Sequence, residues 1–203
     1  MRIGRSLLVL AIVGLMAGCA EETEGLATGA TSGTAASGRS ALQRATERLP
    51  AMVAGFTRRD TTWHEPDRTG MGVAVDYDGP ARSAVSTVSL YDRGRTRIPD
   101  DLDAEPLQTE FAAAVNEALA LADTRTSHRI VERSRSDIEI PGQAPMRCAS
   151  LQGTYGRQEV QTLVCLGAAS GRFLKVLITS PARQVRPVDP LPFVVGIAQA
   201  ARG

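Results

Sequence analysis

Histidine and lysine are nearly missing from this 203-residue chain: it has two histidines, and Lys175 is the one lysine among 23 basic residues. His64 lies in Trp63-His64-Glu65-Pro66-Asp67, with no second His or Cys at metal-ligand spacing, so a polar loop is the expected reading. His128 precedes a strand pattern. Aromatic residues make up 4% of the chain, which weighs against a carbohydrate or single-stranded nucleic-acid platform built on exposed rings. Neither charge sign is in excess: the net charge is +1, without the basic surplus of a nucleic-acid binder. Three cysteines are too few for a disulfide scaffold. No apolar run reaches the roughly 20 residues of a membrane-spanning helix. GxSxG, SxxK, HExxH, Walker and GxGxxG patterns are absent, and the acids Asp100, Asp101, Asp103 and Glu105 lack EF-hand spacing. No catalytic residue, metal site or cofactor is therefore assigned.

What is present begins at residue 1. Arg2 and Arg5 precede Leu7–Met16, a stretch that is apolar apart from Gly14, which is the plan of a secretory leader over residues 1–18. Leu15-Met16-Ala17-Gly18-Cys19 then resembles the lipobox of bacterial lipoproteins: an aliphatic position, two small residues and a cysteine. Met16 stands where leucine is commonest. The resemblance implies a diacylglycerol on the Cys19 thiol, cleavage before Cys19 and further acylation of the new amine with chains such as palmitate. Two or three acyl chains anchor firmly where one is marginal. Ala20, in place of the aspartate associated with inner-membrane retention, points to the outer membrane with the domain facing the periplasm. Cleavage would remove Arg2 and Arg5 and take the formal charge from +1 to −1.

Residues 19–39 form the acylated cysteine and a flexible tether. After three glutamates the tether runs LATGATSGTAASGR, too poor in apolar surface to offset the entropy of ordering. As a coil of about 20 residues it reaches roughly 25 Å.

Residues 40–203 read as a single globular α+β domain, with a mainly antiparallel sheet, a long central helix and a short C-terminal helix. Ser40–Leu49 is expected as a helix capped by Ser40, Met52–Thr57 as a strand, and Arg58–Pro66 as a polar excursion. Met71, Val73, Val75 and Tyr77 alternate with small and polar residues, a half-buried strand. Asp78-Gly79-Pro80 supplies a turn before the strand Ala84–Tyr91. Leu107, Phe111, Val115, Ala118, Leu119 and Ala122 share one helical face over Glu105–Ala122, with Asp103 as the expected cap. Four strands should follow: Arg129–Ile140, Arg147–Thr154, Glu159–Leu166 and Phe173–Thr179. The last, FLKVLIT, is apolar on both faces and belongs in the middle of a sheet. Phe193–Ala201 is the terminal helix.

Cys148 and Cys165 lie symmetrically about the centre of the expected hairpin, between Gly156 and Arg157. That register sets them directly opposite, within bridging distance, and an oxidising compartment would join them. Two buried thiols packing as small apolar residues are the alternative. In the strand Arg129–Ile140, alternation places Ile130, Ile138 and Ile140 on one face and Arg129, Arg133 and Arg135 on the other. These arginines are candidates for anion contact. A solvated strand face in an arginine-rich chain is the preferred reading.

The order of elements is similar to the PsbP-like fold over about residues 52–201, a resemblance of topology without a diagnostic motif. It implies a small binding or assembly factor. The expected function is a lipid-anchored envelope protein with a non-catalytic domain that binds an envelope protein or small-molecule ligand, and no nucleic acid. An envelope hydrolase using Asp, Glu or Ser in an unrecognised pocket is the alternative.

Overall fold

The computed structural model describes residues 41–123, 130–155 and 157–203. The leader, the lipobox with Cys19, the tether, Ser40, His128 and Arg129 lie outside the described residues. Among those described, the helix at 41–47 (α1) precedes strands Met52–Val53 (β1), Phe56–Trp63 (β2), Val73–Asp78 (β3) and Val85–Tyr91 (β4). Helix Glu105–Asp123 (α2) is followed by Ile130–Ile140 (β5), Gln143–Tyr155 (β6), Gln158–Ala169 (β7) and Arg172–Pro181 (β8). Helix Leu191–Arg202 (α3) closes the chain. The eight strands form one sheet in the order β1-β2-β3-β4-β8-β7-β6-β5. Every pairing is antiparallel.

Each half of the sheet is a meander, and the seam between the halves is β4 against β8, with Val88 opposite Val176. The apolar run of β8 follows from that central position. Phe173 faces one core with Leu177 packed against it, and Leu174, Val176 and Ile178 face the other. One core joins Leu42, Ala45 and Leu49 of α1 with Phe193, Val194, Ile197 and Ala198 of α3. Phe193 stacks at 4.2 Å from Phe56 and meets the Tyr77 ring edge-on at 5.2 Å. On the opposite face, Leu107, Phe111, Ala114, Val115 and Ala118 of α2 pack on Ala149, Leu151, Val164 and Leu166. Burial of each larger side chain among these contributes about 1.5–3 kcal/mol. The domain is thus a three-layer α/β/α arrangement. Its 19-residue α2 lies on one outer layer, and the 12-residue α3 on the other.

The disulfide Cys148–Cys165 is present, with Cα atoms 4.1 Å apart. Cys148 pairs with Cys165 in the β6–β7 register, as hairpin symmetry predicts. The bridge continues a row across the sheet: Thr61, Val75, Val88, Val176, Cys165, Cys148 and Ser136 are successive neighbours. Both sulfurs therefore sit in the α1/α3 core.

Four expectations are corrected. The segment expected as one strand over 52–57 is split by a tight turn, with Ala54 at φ 49° and Gly55 at φ 80°, a conformation that favours hairpins. The polar excursion is largely strand: β2 runs to Trp63, held by pairing with β3 and not by hydrophobic alternation. The hairpin strands extend to the pair Tyr155–Gln158, where a four-residue loop was expected. Asp103 does not cap α2. Its carboxylate pairs with Arg147 at 3.2 Å, while the Ala104 carbonyl accepts the Leu107 and Gln108 N–H groups.

Gly72 shows how closely the β2–β3 loop packs. It adopts φ 60°, and a Cβ there would stand 1.8 Å from the Leu90 carbonyl oxygen. Any side chain would force β3 and β4 apart.

Candidate functional site

The arginine stripe expected on β5 is divided. Register shifts occur between Glu132 and Ser134 and between Ile138 and Ile140. An extra residue in one strand reverses which face its successors occupy. Arg133 at the first bulge reaches Gln152, Nε to Oε1 3.1 Å. Arg135 turns to the α2 side, where it stands 5.4 Å over the Phe111 ring and pairs with Glu132 at 2.5 Å. That pairing holds the Glu132 carboxyl below its usual range. The same bulge puts Ile130 against the α2 core and Ile138 and Ile140 against the other, which corrects the single face expected for them. Arg133 and Arg135 therefore do not converge, and Arg129 lies outside the described residues.

His64 and Glu65 form a loop anchor. The Glu65 carboxylate accepts N–H bonds from Gly70 at 3.1 Å and from Gly72 at 2.9 Å. Among the described residues no cluster of His, Cys, Asp and Glu is arranged to hold a metal ion.

A different set of arginines converges at the end of the sheet where β8 begins. The β7–β8 turn there is Ser170-Gly171, with φ 53° and 74°, joining the paired Ala169 and Arg172. Its Gly171 carbonyl accepts the Ile98 N–H at 2.9 Å, which fixes the loop after β4 beside it. The C-terminal turn of α3 and the start of β6 complete the walls. They enclose a cavity of about 650 Å³ lined chiefly by Arg97, Asp100, Gln143, Ser170, Gly171 and Arg202.

Two guanidinium groups tie these elements together. Arg202 donates from Nε to the Ala168 carbonyl at 2.7 Å and from Nη1 to the Ala144 carbonyl. Burial lowers the Arg202 pKa, and Asp100 partly opposes that shift. Arg48, at the end of α1, donates through Nη2 to Ser170 Oγ at 2.7 Å and to the Ala201 carbonyl at 3.0 Å. Ser170 Oγ donates in turn to Ala201 at 3.1 Å. Arg97 is exposed; its stem lies beside Gly171, with Cγ 3.7 Å from where a Cβ would stand.

Polar capacity is left over here. Gln143 Oε1 and Arg202 Nη2 are shielded from solvent without a hydrogen-bond partner. Each such group costs about 1–3 kcal/mol if it stays unpaired. Sequence reasoning misses this site because Arg97, Gln143, Gly171 and Arg202 come from four separate segments with no shared motif.

A second, more open groove of about 1070 Å³ lies at the far end of β8, between Pro80, Pro181, Val185, Pro187, Val188 and Pro192. Val185 there is fully exposed.

The chain matches no family model and no curated protein. Among solved structures it is loosely similar to the solution structure of cyanobacterial PsbP (CyanoP) from Synechocystis sp. PCC 6803. The likeness has 12% identity, covers 64% of this chain and 83% of that one, and has a TM-score of 0.39.

Proposed function

We propose that the chain is a lipid-anchored protein of the bacterial envelope, acylated at Cys19, whose α+β domain binds a small ligand or an assembly partner and performs no catalysis. The observation that carries the reading is Leu15-Met16-Ala17-Gly18-Cys19 placed directly after a basic and apolar leader. Its expected site is the periplasmic face of the outer membrane, with residues 20–39 as the leash. The Cys148–Cys165 bridge is consistent with export, since disulfides persist in oxidising compartments. Among the described residues no helix is long and apolar enough to cross a membrane.

The test is metabolic labelling with palmitate, followed by membrane fractionation of the wild type and Cys19→Ala. The wild type is expected to carry label and sediment with outer membranes. The variant should lose the label and accumulate as an uncleaved precursor. An unlabelled wild type, or a variant that fractionates unchanged, overturns the anchor. Crosslinking in intact cells tests the domain's role, which predicts capture of a specific partner or ligand.

A further inference from the structure

We propose that the outer edge of β5 pairs with the same edge of a second copy of this chain, antiparallel and centred on Ser136, to make a two-fold dimer with one continuous sheet. This names a partner beyond those proposed above and does not depend on the anchor at Cys19.

β5 is the last strand in the sheet order, and residues 133–137 are all exposed. Its register with β6 shifts near both ends, between Glu132 and Ser134 and between Ile138 and Ile140. Between those shifts Ser134–Ile138 pairs regularly. Charges and bulges on an edge ordinarily deter pairing with another strand. Here they leave one partner that fits.

The disulfide shows which main-chain groups face the open edge. Cys148 and Cys165 lie opposite each other with Cα atoms 4.1 Å apart. That is the spacing of an antiparallel pair without backbone bonds between its members, about 4.5 Å against about 5.5 Å for a bonded pair. The N–H and C=O of Cys148 therefore point to its other neighbour, Ser136. Alternation turns those of Arg135 and Asp137 away from β6, to the open edge. Inversion about Ser136 sets Arg135 of each copy opposite Asp137 of the other. Each such pair exchanges N–H···O bonds in both directions, so the outward N–H groups of both residues are met in both copies.

The side chains agree with that register. Arg135 stands over Phe111 of α2, and Asp137 meets Arg147, which also donates to the Leu102 carbonyl just before α2. Arg135 and the opposing Asp137 thus project from the same face of the sheet. Their side chains are 54% and 42% exposed, so each has room for a second ionic partner besides Glu132 and Arg147. Further out, Arg133 falls opposite Glu139. The strand is basic on one side of Ser136 and acidic on the other, so an antiparallel copy sets opposite charges together, and a parallel copy sets like charges together. A contact of one strand edge is small and makes a reversible dimer.

Two measurements test this on the full chain in detergent, with micelles in large excess over chains. In hydrogen exchange followed by NMR, the amides of Arg135 and Asp137 are expected to exchange at least about fivefold more slowly when the chain is raised from about 20 µM to about 1 mM. The Ser136 amide, already bonded to β6, should change little. The second measurement is capture of one tagged copy by another carrying a different tag. Arg135→Glu sets an acid against Asp137, and Asp137→Arg sets a base against Arg135. Each variant should capture its own kind at least about tenfold less than the wild type does. A mixture of the two variants restores opposite charges at both positions and should recover wild-type capture.

Four results overturn the proposal. They are exchange at Arg135 and Asp137 that ignores concentration, self-capture by either variant equal to the wild type, variants with wild-type urea midpoints whose mixture stays apart, and protection of the two amides only after an envelope extract is added. The last would mean that a different protein occupies the edge. If either variant fails to fold, the exchange measurement on the wild type decides.

Discussion

Tyr91 donates its hydroxyl to Oε1 of Glu110 at 2.8 Å, a bond from the last residue of β4 to the inward face of α2. Arg93 closes on the same carboxylate, with Nη2 at 3.0 Å and Nε at 3.2 Å. Its guanidinium also lies 5.2 Å from the Tyr91 ring centre. On the next strand, Lys175 reaches α2 through Glu117 at 2.9 Å. α2 is thus fastened to the sheet by polar contacts, buried at Tyr91–Glu110 and more exposed at Arg93 and Lys175, as well as by its apolar stripe. Such networks are stable only while every member is satisfied.

Tyr91→Phe should lower the unfolding free energy by about 1–3 kcal/mol, because the largely buried Glu110 carboxylate loses a donor. Replacing Tyr91 and Glu110 together, by Phe and Leu, should cost less than the sum of the two single changes. Urea denaturation of the two single variants and the double variant checks this. A strictly additive cycle would show that the pair is not coupled.

The Cys148–Cys165 bridge closes a loop with a sequence separation of 17. Chain-entropy arithmetic for a loop of that size gives about 3 kcal/mol. The double variant Cys148→Ala, Cys165→Ala should unfold at correspondingly lower urea, and its stability should not respond to reductant. Thiol labelling of the unreduced, denatured wild type should find neither Cys148 nor Cys165 free. Labelling of both would refute the bridge.

Tyr77 gives the fold an alkaline limit. Its hydroxyl donates to the Pro50 carbonyl at 2.9 Å, and burial raises its pKa from 10.0 to about 12, with Arg58 pulling the other way. The folded state therefore holds this proton more tightly than the unfolded chain. The stability that follows is fully present below pH 10 and is lost as pH rises towards about 12. Tyr91 is raised as well, by burial and by Glu110, so its effect has the same sign. Tyr77→Phe should make the decline in urea midpoint between about pH 9 and about pH 11 shallower. An unchanged slope would show that Tyr77 ionises as freely in the folded state as in the unfolded one.

Much of the architecture is legible in the residues because it is local or symmetric. Val73, Val75 and Tyr77 are buried as their alternation predicts. Leu107, Phe111, Val115 and Ala118 form the inward stripe of α2 as their spacing predicts. Cys148 and Cys165 meet because a hairpin pairs residues equidistant from its centre. β2 escaped that reading because only Phe56 of its eight residues is buried, and a strand held by backbone pairing leaves no hydrophobic period. The bulge beside Arg133 escaped it for the same reason, since one extra residue changes no composition yet divides the arginine stripe.

By itself, the sequence determined the helical and strand periods and the cysteine register, and it is the whole basis of the expected leader and lipobox. Each of these depends on residues close in the chain or related by a single turn. Tertiary structure alone decided the β4–β8 seam, the face to which each β5 side chain turns, and the cavity that joins Arg97, Gln143, Gly171 and Arg202. Those depend on contacts between segments tens of residues apart, where the energy comes from pairing and burial across the sheet. No spacing along the chain records which distant segments will meet.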